Sequence, residues 1–116
     1  MLAKRLKLST RYRVQRVFEK GRKLRGSIFT LWYYPNKIGL RIAVITPTKL
    51  KVRPVIRNRI RRRLYETIRL AVFNKESYAS LRYDIVLVAH TSGIAEMKFS
   101  RLAQELIRFM QNLQKI

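Results

Sequence analysis

The chain has 116 residues, 47% of them hydrophobic, and 27 lysines and arginines against 6 acidic residues give it a formal net charge of +21. This length and apolar content predict one folded domain over residues 1–116 and exclude a disordered basic tail. The charge requires an anionic partner, and nucleic acid is favoured over a membrane because the longest apolar run, Ile85 to Ala89, cannot span a bilayer. With no cysteine and no secretory signal, the composition favours a cytoplasmic protein.

The first half of the chain predicts one helix and two strands. A basic linker separates the helix from the first strand, and a turn with Pro35 and Asn36 separates the two strands, which are predicted to run antiparallel. In chain order the elements are a helix capped by Ser9 or Thr10 and ended by Gly21, the linker Arg22–Arg25, and the strands Ile28–Tyr34 and Leu40–Thr46.

The second half predicts a long helix, a strand and a final helix. The strand Tyr83–His90 is almost continuously apolar, which is typical of a strand buried on both faces and parallel to a neighbour. The order α, β, β, α, β, α favours the α+β class, as a two-layer α/β sandwich with a mixed sheet. The elements are a helix from just after Pro54 to about Phe73, a polar turn Asn74–Arg82, the strand, a loop Thr91–Glu96 and a helix at about Phe99–Leu113.

The long helix is amphipathic and rich in arginine. Its apolar stripe is Ile56, Ile60, Leu64, Ile68, Ala71 and Val72, and Asn58, Arg59, Arg62 and Arg69 project from the opposite side. Helical rotation places Arg57 inside the apolar stripe, so its side chain must reach past the first turn to solvent, where we expect a polyanion. A merely solvated face would mix charge signs, but only Glu66 lies in this cluster, and arginine suits bidentate phosphate contacts.

Aromatic residues form a second cluster, and they include Tyr12, Phe18, Phe29, Trp32, Tyr33 and Tyr34. Alternate residues of a strand face opposite ways, so either Phe29 and Tyr33 or Trp32 and Tyr34 pack in the core. The other pair could stack against unpaired bases, although packing alone is the common use of aromatic residues in strands.

Residues suited to catalysis are scarce. The acidic residues fall singly along the chain, so we predict no catalytic residue, no metal site and no protein-bound cofactor. The single histidine, His90, could act as a general base at a strand end, but a hydrogen-bonded structural role is favoured. If a nucleic-acid strand is cleaved, another molecule must supply the catalytic groups.

The motif Arg57-Asn-Arg-Ile-Arg-Arg62 resembles the signature helix of the bacterial ribonuclease P protein component. Three further segments resemble motifs of that family, in the same order and at matching separations: Val17–Gly21, Arg41–Val44 and Tyr83–Val86. The resemblance covers nearly the whole chain. It implies the ribosomal protein S5 domain 2-like sandwich with a left-handed βαβ crossover, a handedness that general rules would not predict.

The resemblance also implies a function. The protein would assist a catalytic RNA in removing the 5′ leader from precursor tRNA, as a monomer in a 1:1 complex, with Mg²⁺ held with the RNA and no DNA partner. Arg57, Asn58, Arg59, Arg61 and Arg62 would lie against the catalytic RNA. The first helix and the sheet would form a cleft for the leader, with Phe18 and Trp32 in it, Lys49 at its rim, and Val14 where the family usually has a phenylalanine.

Three further departures from the family pattern concern the cleft and the helix. Pro47 and Thr48 replace a serine-lysine pair, His90 replaces a common arginine, and Arg63 stands where an apolar residue is preferred. Two other functions stay open. A non-enzymatic ribosomal RNA scaffold would use the same helix without selecting precursor tRNA, and double-stranded DNA recognition is disfavoured because the bulky apolar stripe indicates packing on a sheet.

Overall fold

The computed structural model describes residues 6–8 and 10–116, which form a four-stranded mixed sheet with helices on both faces. The predicted order of elements is confirmed, and a further strand and a short helix are present. In chain order they are α1 (Arg11–Lys20), β1 (Arg22–Arg25), β2 (Phe29–Pro35), β3 (Arg41–Ile45), α2 (Pro54–Ile68), α3 (Glu76–Ala79), β4 (Tyr83–Ala89) and α4 (Phe99–Gln114). Short 3-10 helices at Thr48–Leu50 and Ser92–Glu96 and a π-helical turn at Arg69–Phe73 complete the set.

Helix α1 begins after Thr10, as predicted, but the Thr10 side chain makes no capping hydrogen bond. The alternative cap, Ser9, lies outside the described residues. The predicted end of α1 at Gly21 is confirmed, and a side chain there would not fit, because a Cβ would lie 2.4 Å from the carbonyl oxygen of Val17 and 2.5 Å from that of Tyr33. The chain therefore turns directly from α1 into β1.

The strands lie in the order β1-β2-β4-β3. Strands β2 and β3 run in opposite directions, as predicted, but they are not neighbours because β4 lies between them, antiparallel to β2 and parallel to β3. The prediction that the apolar strand has a parallel neighbour is confirmed, and β3, α2 and β4 form a βαβ unit. An apolar strand such as β4 suits the centre of a sheet because both of its faces are covered.

The predicted linker Arg22–Arg25 is in fact strand β1, paired with β2 so that Lys23 faces Trp32 and Arg25 faces Thr30. The prediction was wrong because β1 consists almost entirely of basic residues, so its sequence lacks the apolar alternation that indicates a strand. Charged residues are tolerated there since β1 is an edge strand, and charge on an edge also discourages pairing with other chains. The predicted polar turn likewise contains the single-turn helix α3.

The main core lies between one face of the sheet and helices α2 and α4. The predicted apolar side of α4 is confirmed, because all five of its predicted residues are buried: Leu102, Leu106, Phe109, Met110 and Leu113. They meet Phe29, Leu31 and Leu87 from the sheet and Ile60 and Leu64 from α2. Burial of large side chains at close packing is the dominant stabilising contribution here.

Helix α1 packs on the opposite face of the sheet. Val17 joins Leu8, Ala43 and Val86 in a second buried cluster, against which Trp32 and other half-buried residues pack. Helix α1 covers only part of this face and leaves a groove beside it. No helix in the described ranges is both long and apolar enough to cross a membrane.

Candidate nucleic-acid interface

Helix α2 exposes four polar side chains, Asn58, Arg59, Arg61 and Arg62, which we call the arginine face. Among the described residues, none of the four forms a hydrogen bond or an ion pair within the chain. The face is held on a rigid element because Ile60, Leu64, Thr67 and Ile68 of the same helix are buried on the other side. Pro54 starts the helix at its first position, where the missing N–H costs nothing. The arrangement presents guanidinium donors that are available to an anionic partner.

Two arginines of α2 are not part of this face. Arg57 is half-buried, and its Nη1 donates a hydrogen bond to the backbone carbonyl of Thr46, so the prediction that it reaches solvent is wrong for this donor. Arg63 is also half-buried; its Nε donates to the carbonyl of Ile94 over 3.1 Å, and its Nη2 donates to that of Met97. Both side chains lie at the flanks of the helix, where they supply hydrogen-bond donors to backbone carbonyl groups of the neighbouring loops.

Arg69, which the sequence placed on the exposed side, is paired with Glu66 one turn earlier. The hydrogen bond from Arg69 lowers the pKa of the Glu66 carboxyl, and the same contact raises the pKa of the guanidinium. Glu66 thus adds a negative charge beside the arginine face and partly neutralises Arg69.

A hollow of about 950 Å³ runs along the arginine face, and Lys7 and Tyr65 line it together with the arginines. The Nζ of Lys7 lies 4.8 Å from the centre of the Tyr65 ring, and the Tyr65 hydroxyl accepts a hydrogen bond from the amide of Val44 over 3.2 Å. The amide of Leu8 donates to the carbonyl of Ile42, which ties the segment carrying Lys7 to β3. Sequence reasoning missed Lys7 because only this tertiary pairing brings it to α2.

The second surface is a groove of about 380 Å³ on the sheet face that α1 leaves partly open. We call it the sheet groove. Its lining residues come from four separate segments of the chain and are Lys23, Arg25, Gly26, Thr30, Trp32, Lys49, Val88 and His90. The groove therefore combines an aromatic ring with three basic side chains and the single histidine.

Trp32 is the aromatic residue of the sheet groove. The ring of Phe18 meets it edge-on, at a centroid distance of 5.3 Å and an interplanar angle of 80°, and Lys23 Nζ lies 5.2 Å from its centre. The alternation of β2 is now resolved, since Phe29 and Tyr33 are in the main core while Trp32 and Tyr34 face α1.

The other residues predicted for the cleft have different places. Lys49 lines the sheet groove. Phe18 supports Trp32 and is 36% exposed. Val14 is half-buried in the apolar cluster beneath α1 and is not among the groove-lining residues.

Lys23, Arg25 and Thr30 are groove residues that the sequence analysis missed. Lys23 and Arg25 alternate along β1, and Thr30 and Trp32 alternate along β2, so each pair points to one face of the sheet. This pattern could have predicted the groove residues, but only if β1 had been recognised as a strand. The hydroxyl of Thr30 contacts Nε2 of His90, whose backbone amide donates to the carbonyl of Ile28 over 2.9 Å. The prediction that His90 is a hydrogen-bonded residue is confirmed.

Carboxylate side chains do not cluster at either surface in the part of the chain that the structure describes. In the described ranges no three histidine or carboxylate side chains come together in a way that could hold a metal ion. Asp84, the acidic residue of the central strand, is buried and paired with Arg41 at 3.0 Å, and the Asn36 side chain also donates to it. The two surfaces offer anion binding and ring stacking.

These features define a small, strongly basic α+β protein with an arginine-rich crossover helix on one face of its sheet and a cationic, aromatic groove on the other. The chain belongs to the ribonuclease P protein family, because the family model described as Ribonuclease P matches residues 2–114. That family is the protein component of ribonuclease P, an endoribonuclease of tRNA processing, and the resemblance predicted from the sequence is confirmed.

Similar proteins agree with this assignment. The ribonuclease P protein component of Syntrophomonas wolfei is 33% identical over 112 residues, covering 96% of this chain and 89% of that protein. The one from Caldanaerobacter subterraneus is 29% identical over 111 residues, covering 96% and 91%.

Solved structures show the same fold. The RNase P protein of Staphylococcus aureus superposes with a TM-score of 0.71 at 20% identity, covering 93% of this chain and 94% of that one. The RNase P protein from Thermotoga maritima superposes with a TM-score of 0.74 at 18% identity, covering 91% and 96%.

Proposed function

We propose that the chain binds the catalytic RNA of ribonuclease P through the arginine face and the 5′ leader of precursor tRNA through the sheet groove. The RNA, with its Mg²⁺ ions, breaks the phosphodiester bond. The protein acts as a monomer in a 1:1 complex with this RNA in the cytoplasm and contributes binding, positioning and charge neutralisation.

The arginine face supports the first contact. Its guanidinium groups are exposed on one rigid helix, and arginine binds phosphate oxygens through two parallel hydrogen bonds. Lys7 extends the same positive surface towards the N-terminal segment. Contacts of this kind neutralise phosphates and release counterions, so complex formation should weaken steeply with salt.

The sheet groove supports the second contact because it combines what single-stranded RNA needs. Lys23, Arg25 and Lys49 can follow a phosphate backbone, and Trp32 offers a ring on which a base can stack. Lys23 already lies near that ring, so a stacked base must displace it. Stacking contributes about 1–3 kcal/mol, and an exposed cation–π contact contributes about 0.5–1 kcal/mol, so the exchange is favourable. The displaced ammonium can then meet a phosphate.

The observation that carries this proposal is that the two cationic surfaces lie on opposite faces of one sheet. A protein that holds a catalytic RNA and positions a separate leader needs two such surfaces. The scarcity of clustered carboxylates among the described residues agrees with chemistry supplied by the RNA.

Reconstitution tests the proposal directly. The purified protein, its cognate ribonuclease P RNA and a precursor tRNA are combined over a magnesium series, beside the RNA alone and the protein alone. We expect cleavage at the 5′ end of the mature tRNA, at lower magnesium with protein than without it, and none with protein alone. Cleavage by the isolated protein would refute the assignment of chemistry to the RNA, and equal binding of precursor and mature tRNA would favour the scaffold.

A further inference from the structure

Arg57 belongs to the signature motif of α2, but its contacts differ from those of the arginine face. Its guanidinium turns towards the sheet and donates to the carbonyl of Thr46, the residue that directly follows β3. Arg59 and Arg62, in the same helix, are exposed and have no such contact among the described residues. The structure therefore divides the motif into side chains that face outward and one that holds the protein's own backbone.

The segment held by Arg57 carries a groove residue. Thr46 opens the connection to α2, and the 3-10 helix Thr48–Leu50 within it places Lys49 in the lining of the sheet groove. Leu50 packs against the main core, and Lys51 has a left-handed backbone with φ of 50°. Within the described part of the chain, Arg57 is the only side chain that hydrogen-bonds the backbone of this segment. The position of Lys49 thus depends on few constraints.

We infer that Arg57 is a positioning residue for the leader: by holding the carbonyl of Thr46 it sets Lys49 at the rim of the sheet groove. Arg57 therefore contributes to the selection of precursor over mature tRNA, and its contribution passes through Lys49. This inference rests on the proposed function of the groove. Arg57 would link the two surfaces physically, because the helix that bears the arginine face would also fix one side of the sheet groove.

A pair of matched substitutions tests the inference in the reconstituted complex. Arg57→Met keeps the aliphatic stem and removes the donor, and Arg62→Met makes the same chemical change on the arginine face. Two quantities are measured for each variant: the affinity of the protein for the ribonuclease P RNA, and leader discrimination, defined as the affinity for precursor tRNA divided by that for the same tRNA without a leader. We expect Arg57→Met to lower leader discrimination by about three- to tenfold, the size of one typical net hydrogen bond. Arg62→Met should lower RNA affinity and leave discrimination unchanged.

A double-mutant cycle with Lys49→Ala identifies the route of the effect. If Arg57 acts through Lys49, Arg57→Met should cause no further loss of discrimination in the Lys49→Ala background. Arg57→Lys, which keeps a long cationic donor, should retain most of the discrimination, and it also serves as the second variant if Arg57→Met does not fold. Thermal unfolding of each variant establishes that it is folded.

The contrary outcomes separate this inference from the proposed function. If Lys49→Ala lowers discrimination but Arg57→Met and Arg57→Lys do not, the positioning role is refuted and the groove assignment stands. Additive losses in the double variant would likewise refute the route through Lys49. If Lys49→Ala has no effect on discrimination, both the groove assignment of Lys49 and the inference built on it are overturned.

Discussion

The arginine face and the sheet groove are both cationic, but they are built in different ways. The arginine face comes from residues within a single stretch of α2, with exposed side chains that form no hydrogen bond or ion pair among the described residues. The sheet groove comes from separate segments, and its side chains already contact each other, as Lys23 contacts Trp32 and Thr30 contacts His90. Phe18, which is not a lining residue, supports the Trp32 ring. One surface is a set of free charges, and the other is a shaped site.

The two surfaces therefore discriminate different features of an RNA. Free guanidinium groups on a helix bind phosphates wherever the backbone of a folded RNA presents them, so their contribution is mainly electrostatic and sensitive to salt. A groove with a ring and a defined width selects an unpaired strand.

Removal of charge from the arginine face should have the largest effect. The double variant Arg59→Gln/Arg62→Gln is expected to weaken binding of the ribonuclease P RNA by about 2 kcal/mol, roughly thirtyfold, because contacts to charged groups are lost. The slope of log affinity against log salt should fall in magnitude by about one to two. Titrations at several salt concentrations measure both quantities.

The control for this variant is Arg82→Gln/Lys115→Gln, which removes the same charge from exposed positions outside both surfaces. It should change the affinity little. Equal losses in the two double variants would mean that net charge, and not the arginine face, governs binding.

Removal of the ring from the groove should have the next largest effect. Trp32→Ala is expected to weaken precursor tRNA binding by about tenfold and leave mature tRNA binding unchanged, because a stacked base loses about 1–3 kcal/mol. Trp32→Phe should retain most of the affinity. The matched control is Tyr34→Leu, since Tyr34 faces α1 on the same sheet face but lies under Arg16, 5.4 Å from its ring centre. A loss of the same size in Tyr34→Leu would show that α1 packing and not stacking is responsible.

A shift of β1 should change binding at the sheet groove and leave binding at the arginine face unchanged. A Cβ at Gly26 would lie 2.2 Å from a carboxylate oxygen of buried Glu105 and 2.8 Å from the carbonyl of Phe29, so the β1–β2 turn must shift. Gly26→Ala is expected to lower the free energy of unfolding by about 1 kcal/mol, as overpacking does. Leader discrimination should fall with it, because β1 carries Lys23 and Arg25, while affinity for the ribonuclease P RNA should remain.

Gly93→Ala is the control for this substitution, because a Cβ there would meet nothing closer than 3.4 Å. Denaturant unfolding should show little change. If Gly26→Ala weakened RNA binding as much as leader discrimination, the two surfaces would not be independent.

The smallest effect is expected at Glu66. Its exposed pair with Arg69 is screened by solvent, so Glu66→Gln should barely change stability near neutral pH and should raise RNA affinity slightly by removing a negative charge beside the arginine face. The pKa of Glu66 is lowered by Arg69, so any stabilisation is present above the ordinary carboxyl pKa and is lost as the pH falls through the lowered value. Thermal unfolding of the two proteins should therefore converge in acid, and a difference that grows with acidity would contradict this assignment.

Local patterns in the sequence were sufficient for most of the fold and for one of the surfaces. The apolar stripe of α2, the apolar run of β4 and the buried side of α4 report burial directly, because helices and strands repeat at fixed periods. The same rotation predicted Asn58, Arg59 and Arg62 on the exposed side of α2, where the structure has them. Arg61 came from the family resemblance, and Arg69 is paired with Glu66. The motif around Arg57 was sufficient for the family, which the comparisons confirm.

Tertiary structure decided what depends on contacts between distant segments. The strand character of β1 comes from pairing with β2, the place of β4 between β2 and β3 comes from the βαβ unit, and Lys7 reaches α2 only because its segment pairs with β3. Arg57 is the sharpest case. Helical rotation placed Arg57 inside the apolar stripe, and the structure has it half-buried. Whether its guanidinium met solvent or a backbone carbonyl depended on where the loop after β3 lay. Which residues share a face therefore follows from helix and strand periods that are readable in the chain. Which of them have partners follows from the packing of the sheet, because a hydrogen bond requires two groups to meet in space.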